Sequence, residues 1–254
     1  MTSLPAPTLL HALNPAEPAQ ADRLMRGALA GLLRWQLGAR PTPLAQLDAA
    51  HIAAQRAQDL DGFATGFVLR GRGLVWNDKE RAIWDRVAAA LLEQAQAQPT
   101  IAVHGRWTAD RLVLGNGEWS AAEPELTATG PVGWDLVGLL RDPAFDWEEP
   151  QEIDWAIRWW DAARHAALPV DADFGAFWRA HEWLGLQRQL VQLGALYREP
   201  PDRPPTAKAL DEALAVARLL AGAGRTALRY GPLKPLLRLL EPLSGAQVSA
   251  GFTF

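Results

Sequence analysis

The sequence predicts a mainly α-helical chain carrying one small β-hairpin region. Three observations lead there. Apolar residues recur at three- and four-residue intervals over most of the length, the helical period. Only the stretch from Thr100 to Ala121 alternates with the period of a strand. Within it, Asn116-Gly117 is the dipeptide that suits a two-residue type I′ turn.

The elements follow in order. Asn14-Pro15-Ala16-Glu17 has capping-box spacing and predicts a helix start, with Leu24, Ala28, Leu32 and Trp35 forming its stripe toward Gly38. A Pro-bearing turn, Arg40–Pro43, leads into a second helix over Leu44–Leu60. Asn77-Asp-Lys-Glu80 is another capping box, opening a helix to about Gln96 with the stripe Ile83, Val87 and Leu91. Strands are expected at Thr100–His104, Arg111–Leu114 and Glu118–Ala121. Everything after Gly130 reads helical: Trp134–Arg141, Ile153–Ala166, Phe174–Tyr197, Thr206–Leu220 and Leu233–Leu240. Between Phe174–Tyr197 and Thr206–Leu220, Arg198–Pro205 carries four prolines and predicts a stiff, extended linker.

Composition narrows the chemistry. With 254 residues the chain can bury a full core as one large or two modest domains. A net charge of −4 gives no electrostatic footprint for nucleic acid or an anionic membrane. The absence of cysteine excludes disulfides, thiolate metal sites and Cys nucleophiles. No signal-peptide pattern opens the chain and no apolar run has the length of a membrane span, so a soluble cytoplasmic protein is expected. The histidines, His11, His51, His104, His165 and His181, never fall at His-x3-His spacing, and no Gly-x-Ser-x-Gly elbow occurs.

Two segments carry more information: Ala102-Val-His-Gly-Arg-Trp-Thr-Ala-Asp-Arg-Leu-Val-Leu114 and Gly130-Pro-Val-Gly-Trp-Asp-Leu-Val-Gly-Leu-Leu-Arg-Asp142. With the hairpin between them they resemble the catalytic core of the aminoglycoside-phosphotransferase and choline-kinase-like family. The resemblance is nearest to its bacterial branch that phosphorylates N-acetylmuramate and N-acetylglucosamine at the anomeric carbon. Leu9–Glu17 and Ala30–Gln36 resemble the first helical part of that family's C-terminal lobe. The implied fold is a protein-kinase-like C-terminal lobe spanning residues 1–254. Within it, 1–99 is a helical first part, 100–142 holds the catalytic loop, hairpin and brace helix, and 143–254 is the helical substrate side. Met1 falls about where the interlobe hinge would lie. The only lysines are Lys79, Lys208 and Lys234, and no glycine-rich phosphate loop occurs, Gly71-Arg-Gly73 being too short. The expectation is a lobe without its nucleotide-binding partner lobe.

The resemblance also shows what has changed. Aligned on His104, the family's base position holds Arg106 and its Asn position Arg111; counted back from Gly130-Pro131, its metal-binding Asp position holds Glu123. Phosphoryl transfer needs a carboxylate to accept a proton and oxygens to hold Mg2+. Arg has no acceptor and stays protonated, so neither role is open to it. At about 5 Å and an effective dielectric of about 20, a guanidinium repels a divalent ion by about 7 kcal/mol. The expectation is a catalytically degenerate pseudokinase using no cofactor, where the family would use ATP and Mg. The alternative is an active amino-sugar phosphotransferase acting as half of a split or two-chain enzyme, with Asp110 as the nearest substitute base.

The remaining roles are equally expectations. His104 is a structural member of the loop, and Asp135 matches a position that braces it. Arg106 and Arg111 are surface residues paired with acids such as Glu123, or an anion site for phosphate or carboxylate. Trp183, Gln187 and Arg188 lie on a segment resembling the helix beneath the sugar pocket; Trp183 and Gln187 share a face. Helix packing is the competing account of that group. Expected partners are a sugar or sugar phosphate, a second copy, or a kinase paralogue docked on the exposed cleft face.

Overall fold

The structure, a computed structural model, describes residues 7–39, 49–123, 128–197 and 207–245. The turn predicted at Arg40–Pro43, the start of the second helix and the linker at Arg198–Pro205 lie outside the described residues. The chain divides into two compact units, each discontinuous in sequence: Met1–Leu47 with Ala97–His181, and Asp48–Gln96 with Glu182–Phe254. Boundaries at 99/100 and 142/143 do not coincide with that division.

The first unit is built on helix α2, Pro18–Gly38. Ala21, Met25, Ala28, Leu29 and Leu32 are buried along it at three- and four-residue spacing. The helix starts at Pro18 and not at Pro15. The residue before a proline is driven out of the α region, and Glu17 stands at φ −117, ψ 72, which bars a helix from running through it. Asn14 therefore makes an Asx turn, its Oδ1 accepting from the Ala16 N–H at 3.1 Å. A short helix, α1 (Leu9–Ala12), precedes it.

Strands β2 (Leu112–Gly115) and β3 (Glu118–Ala121) form the predicted hairpin. Asn116 and Gly117 both take positive φ, at 51° and 79°, as the type I′ turn requires. β3 packs on α2. A side chain at Gly31 would collide with the Trp119 carbonyl oxygen, so glycine there sets how closely strand and helix approach. Strand β1 (Thr100–Val103) pairs antiparallel with a strand that the sequence reading missed, β4 (Ala128–Pro131). Gly130-Pro131 looks like turn chemistry; it is tolerated because, among the described residues, this ladder has two strands and each is an edge strand. Helices α5 (Trp134–Leu140) and α6 (Glu149–His165) close the core, in which Trp107, Trp155 and Trp159 are buried.

The second unit holds α3 (Ala49–Gly62), α4 (Asp78–Gln96), α8 (Ala207–Arg229) and α9 (Leu236–Gly245). Helix α7 (Phe174–Ala195) straddles the division, and its residues from Glu182 onward belong here. The Asn77 capping box forms as read: Asn77 Oδ1 accepts from the Glu80 N–H at 3.0 Å, and Glu80 Oε2 from the Asn77 N–H at 2.9 Å. α3 does not stop near Leu60 but continues as a π-helix, Phe63–Gly71, which the sequence reading did not anticipate. Its wide turns stack Phe63 on Phe67, with ring centroids 5.8 Å apart. α8 runs nine residues beyond the predicted Leu220 because its buried face continues through Ala223 and Ala227 despite Gly222 and Gly224. α9 starts later than predicted, after a 3-10 turn at Gly231–Leu233.

Candidate functional site

The candidate site lies in the first unit, where the chain leaves β1 and turns before β2. The turn is held by carboxylates from the two ends of α5. Asp135, in the first turn of α5 and fully buried, accepts from the His104 N–H at 2.7 Å and the Gly105 N–H at 2.8 Å, one with each oxygen. Gly105 takes a φ of +78°, a conformation that other residues adopt at a cost. Just beyond α5, Asp142 accepts from the Ala109 N–H at 3.1 Å and the Ala144 N–H at 3.0 Å. Charge-assisted bonds of this kind are about twice as strong as neutral ones. Asp142 was missed from sequence; nothing in its neighbours marks it, and only its 33-residue reach to Ala109 gives it a role.

His104 is buried against Trp35 and Trp107, which meet its ring edge-on at 5.4 and 5.9 Å and lie 6.0 Å from each other. Its partners decide the tautomer. The Arg106 N–H can only donate and lies 3.3 Å from Nδ1; the Glu123 carbonyl can only accept and lies 2.7 Å from Nε2. The ring is therefore neutral with its proton on Nε2, linking the loop to the end of the hairpin.

Around this buried centre the charges sit outside. Arg106 Nη1 faces Glu123 Oε2 at 3.4 Å, with both side chains about half exposed. Arg111 Nε faces Asp110 Oδ2 at 3.4 Å, and Asp110 Oδ1 accepts from Thr108 Oγ1 at 2.6 Å. His104, Arg106, Glu123 and Asp135 thus come together, while Arg111 turns to its own neighbour. Among the described residues no group of three or more His, Asp or Glu side chains is placed to hold a metal ion.

Trp183, Gln187 and Arg188 lie in the second unit, on α7. Gln187 and Arg188 are buried, and Trp183 packs on Tyr230 at 5.8 Å. The Trp183 Nε1 and Gln187 Oε1 atoms are enclosed with no hydrogen-bond partner. Beside them buried Glu182, unremarked in the sequence reading, accepts from Arg229 Nη1 at 2.5 Å and from the Tyr230 hydroxyl.

A second charged cluster of the first unit was also not foreseen. Glu152 Oε1 accepts from Arg141 Nε at 2.6 Å and from His181 Nε2 at 2.9 Å. Burial alone would raise the Glu152 pKa, but the Arg141 and His181 charges and hydrogen bonds outweigh it and hold the carboxyl at about 2. Partners 11 and 29 residues apart, on three elements, leave no trace in local sequence.

No protein-family model matches the chain. An N-acetylmuramate/N-acetylglucosamine kinase of Neisseria meningitidis serogroup B is 32% identical over 255 residues, taking in 97% of this chain and 72% of that protein. One of the same description from Pseudomonas putida is 30% identical over 178 residues, 70% of this chain and 51% of its own length, so the chain matches about half of that relative. An ADP-bound aminoglycoside phosphotransferase of solved structure is 14% identical, with a TM-score of 0.47 over 89% of this chain and 71% of that one. Identity of 32% along nearly the whole chain places it in a family: this protein belongs to the N-acetylmuramate/N-acetylglucosamine kinase family.

Proposed function

We propose that this chain is a pseudokinase of its family, built on the C-terminal-lobe side of a kinase-like fold, which binds a sugar or sugar phosphate without transferring phosphate. The observation that carries the reading is the Arg106–Glu123 pair. It joins the two positions at which the resemblance expects a proton-accepting Asp and a metal-binding Asp. A guanidinium accepts no proton, and loss of a general base alone costs a factor of about 100 to 10,000. Arg106 and Arg111, each about half exposed, are the groups that would take a phosphate, Arg106 through the N–H groups that its Glu123 contact does not use. In the second unit, taken by itself, the unpartnered Trp183 Nε1 and Gln187 Oε1 beside Arg188 are a separate candidate for meeting sugar hydroxyls.

The test is a melting panel with N-acetylmuramate, N-acetylglucosamine and their 1-phosphates, with and without Mg2+ and ATP, run beside a 31P assay for product. A ligand at about 100 times its Kd adds about 2.7 kcal/mol. The expected result is a metal-independent rise with a sugar phosphate and no product. Sugar 1-phosphate formed from ATP would overturn the reading.

A further inference from the structure

The family resemblance implies Mg2+ at this loop, and the donor set does not fit it. Mg2+ takes near-octahedral oxygen ligation. Two of the three aligned positions are guanidiniums, and the third, Glu123, already faces one of them. The arrangement has an internal logic. The Arg106 N–H donates to His104 Nδ1, His104 Nε2 donates to the Glu123 carbonyl, and the Glu123 carboxylate in turn accepts from Arg106 Nη1. This ring joins the loop to the hairpin end through both the backbone and the side chain of Glu123. Its one cation is covalently part of the chain.

We propose that Arg106 is a built-in counter-cation: it supplies the charge and the loop-to-hairpin link that a divalent ion would otherwise supply, and so makes this loop indifferent to divalent metal. The proposal rests on the family alignment of Arg106 and Glu123. Its consequence differs from loss of catalysis. If the missing base were the only change, Glu123 would remain open to a cation. With Arg106 as its partner, a cation must displace a guanidinium and then sit beside it, against their mutual repulsion.

Replacing Arg106→Asp turns this contact into two facing carboxylates, an arrangement that a hard cation bridges. Tb3+ luminescence, excited through Trp35 and Trp107, which both pack on His104, reads the outcome. Wild type is expected to give no saturable signal from the loop. R106D should bind Tb3+ at least about tenfold more tightly, and R106D/E123Q should lose that gain. Tb3+ binding by wild type as tight as by R106D would overturn the proposal, as would a folded R106D that gains nothing.

If R106D does not fold, Mn2+ broadening of the Gly105 and Thr108 amides in R106A replaces it. A gain over wild type supports the proposal, and equal broadening refutes it. A phosphotransfer assay on wild type keeps the two readings apart. Turnover with Mg2+ and ATP removes the pseudokinase reading and this one together. An inert wild type whose Arg106 variants gain no cation removes this one alone.

Discussion

Replacing Asp135 by asparagine changes one oxygen for an amide nitrogen at a fully buried position. In the native protein both carboxylate oxygens accept backbone N–H groups, at 2.7 and 2.8 Å. Asparagine keeps one acceptor and turns a donor toward the other N–H, so one bond is lost and the remaining one loses its charge. Hydrogen bonds to a charged group contribute about 1.5–3 kcal/mol each, and an orphaned buried donor costs about 1–3 kcal/mol. D135N should therefore destabilise the first unit by about 2–4 kcal/mol, and D135A, which orphans both N–H groups, by about 3–5 kcal/mol. Urea unfolding followed on resolved amides of that unit measures the change, and hydrogen exchange at His104 and Gly105 localises it. If D135N lies within about 0.5 kcal/mol of wild type, the level of an ordinary surface substitution, Asp135 does not hold the loop.

Further predictions concern packing, capping and acid. In the second unit, a Cβ added at Gly194 would lie 2.6 Å from the Gly62 oxygen and 2.7 Å from the Phe63 nitrogen. Gly194→Ala must shift backbone and should cost about 1–3 kcal/mol by chemical denaturation; no loss would mean that α7 and α3 are not in such close contact. Asn77→Ala removes the cap of α4 and should cost about 1 kcal/mol, with faster exchange at Lys79 and Glu80 as the local readout. Glu152 titrates at about 2 in the folded protein against an ordinary 4.5. The native state thus binds this proton less readily than the unfolded chain. Its stabilisation is complete above the ordinary value and drains away as pH falls toward 2, amounting to about 3 kcal/mol. The stability gap between wild type and Glu152→Gln should narrow between pH 5 and 2; a gap that stays constant would refute the assignment.

What the sequence made legible was local. The Asn77 capping box and the Asn116-Gly117 turn each depend on residues within one or two turns and are present, and Val87 and Leu91 of the expected α4 stripe are buried, with Trp84 in place of the half-buried Ile83. Asp135 could be singled out because it follows Gly133-Trp134 at a helix start, and its family position is distinctive. The misses arise where distant residues decide. β4 is made of residues that usually break strands and exists through its pairing with β1. The π-helix depends on aromatic stacking between Phe63, Phe67 and their neighbours, which overrides the ordinary helical period. Asp142, Glu152 and Glu182 are ordinary acids until the fold brings them an N–H, two cations, or an Arg and a Tyr.

The interleaving of the two units bears on how the chain is made. During synthesis Met1–Leu47 must wait for Ala97–His181 before their core can close, and Asp48–Gln96 must wait for the residues from Glu182 onward. Neither half of α2's buried face has its partners while the intervening segment leaves the ribosome. Nascent chains halted near residue 96 would therefore expose apolar surface from both units at once, and are the lengths at which a chaperone would be most needed. A cut between 96 and 97, which would release an intact domain from a chain built of consecutive domains, here divides both cores.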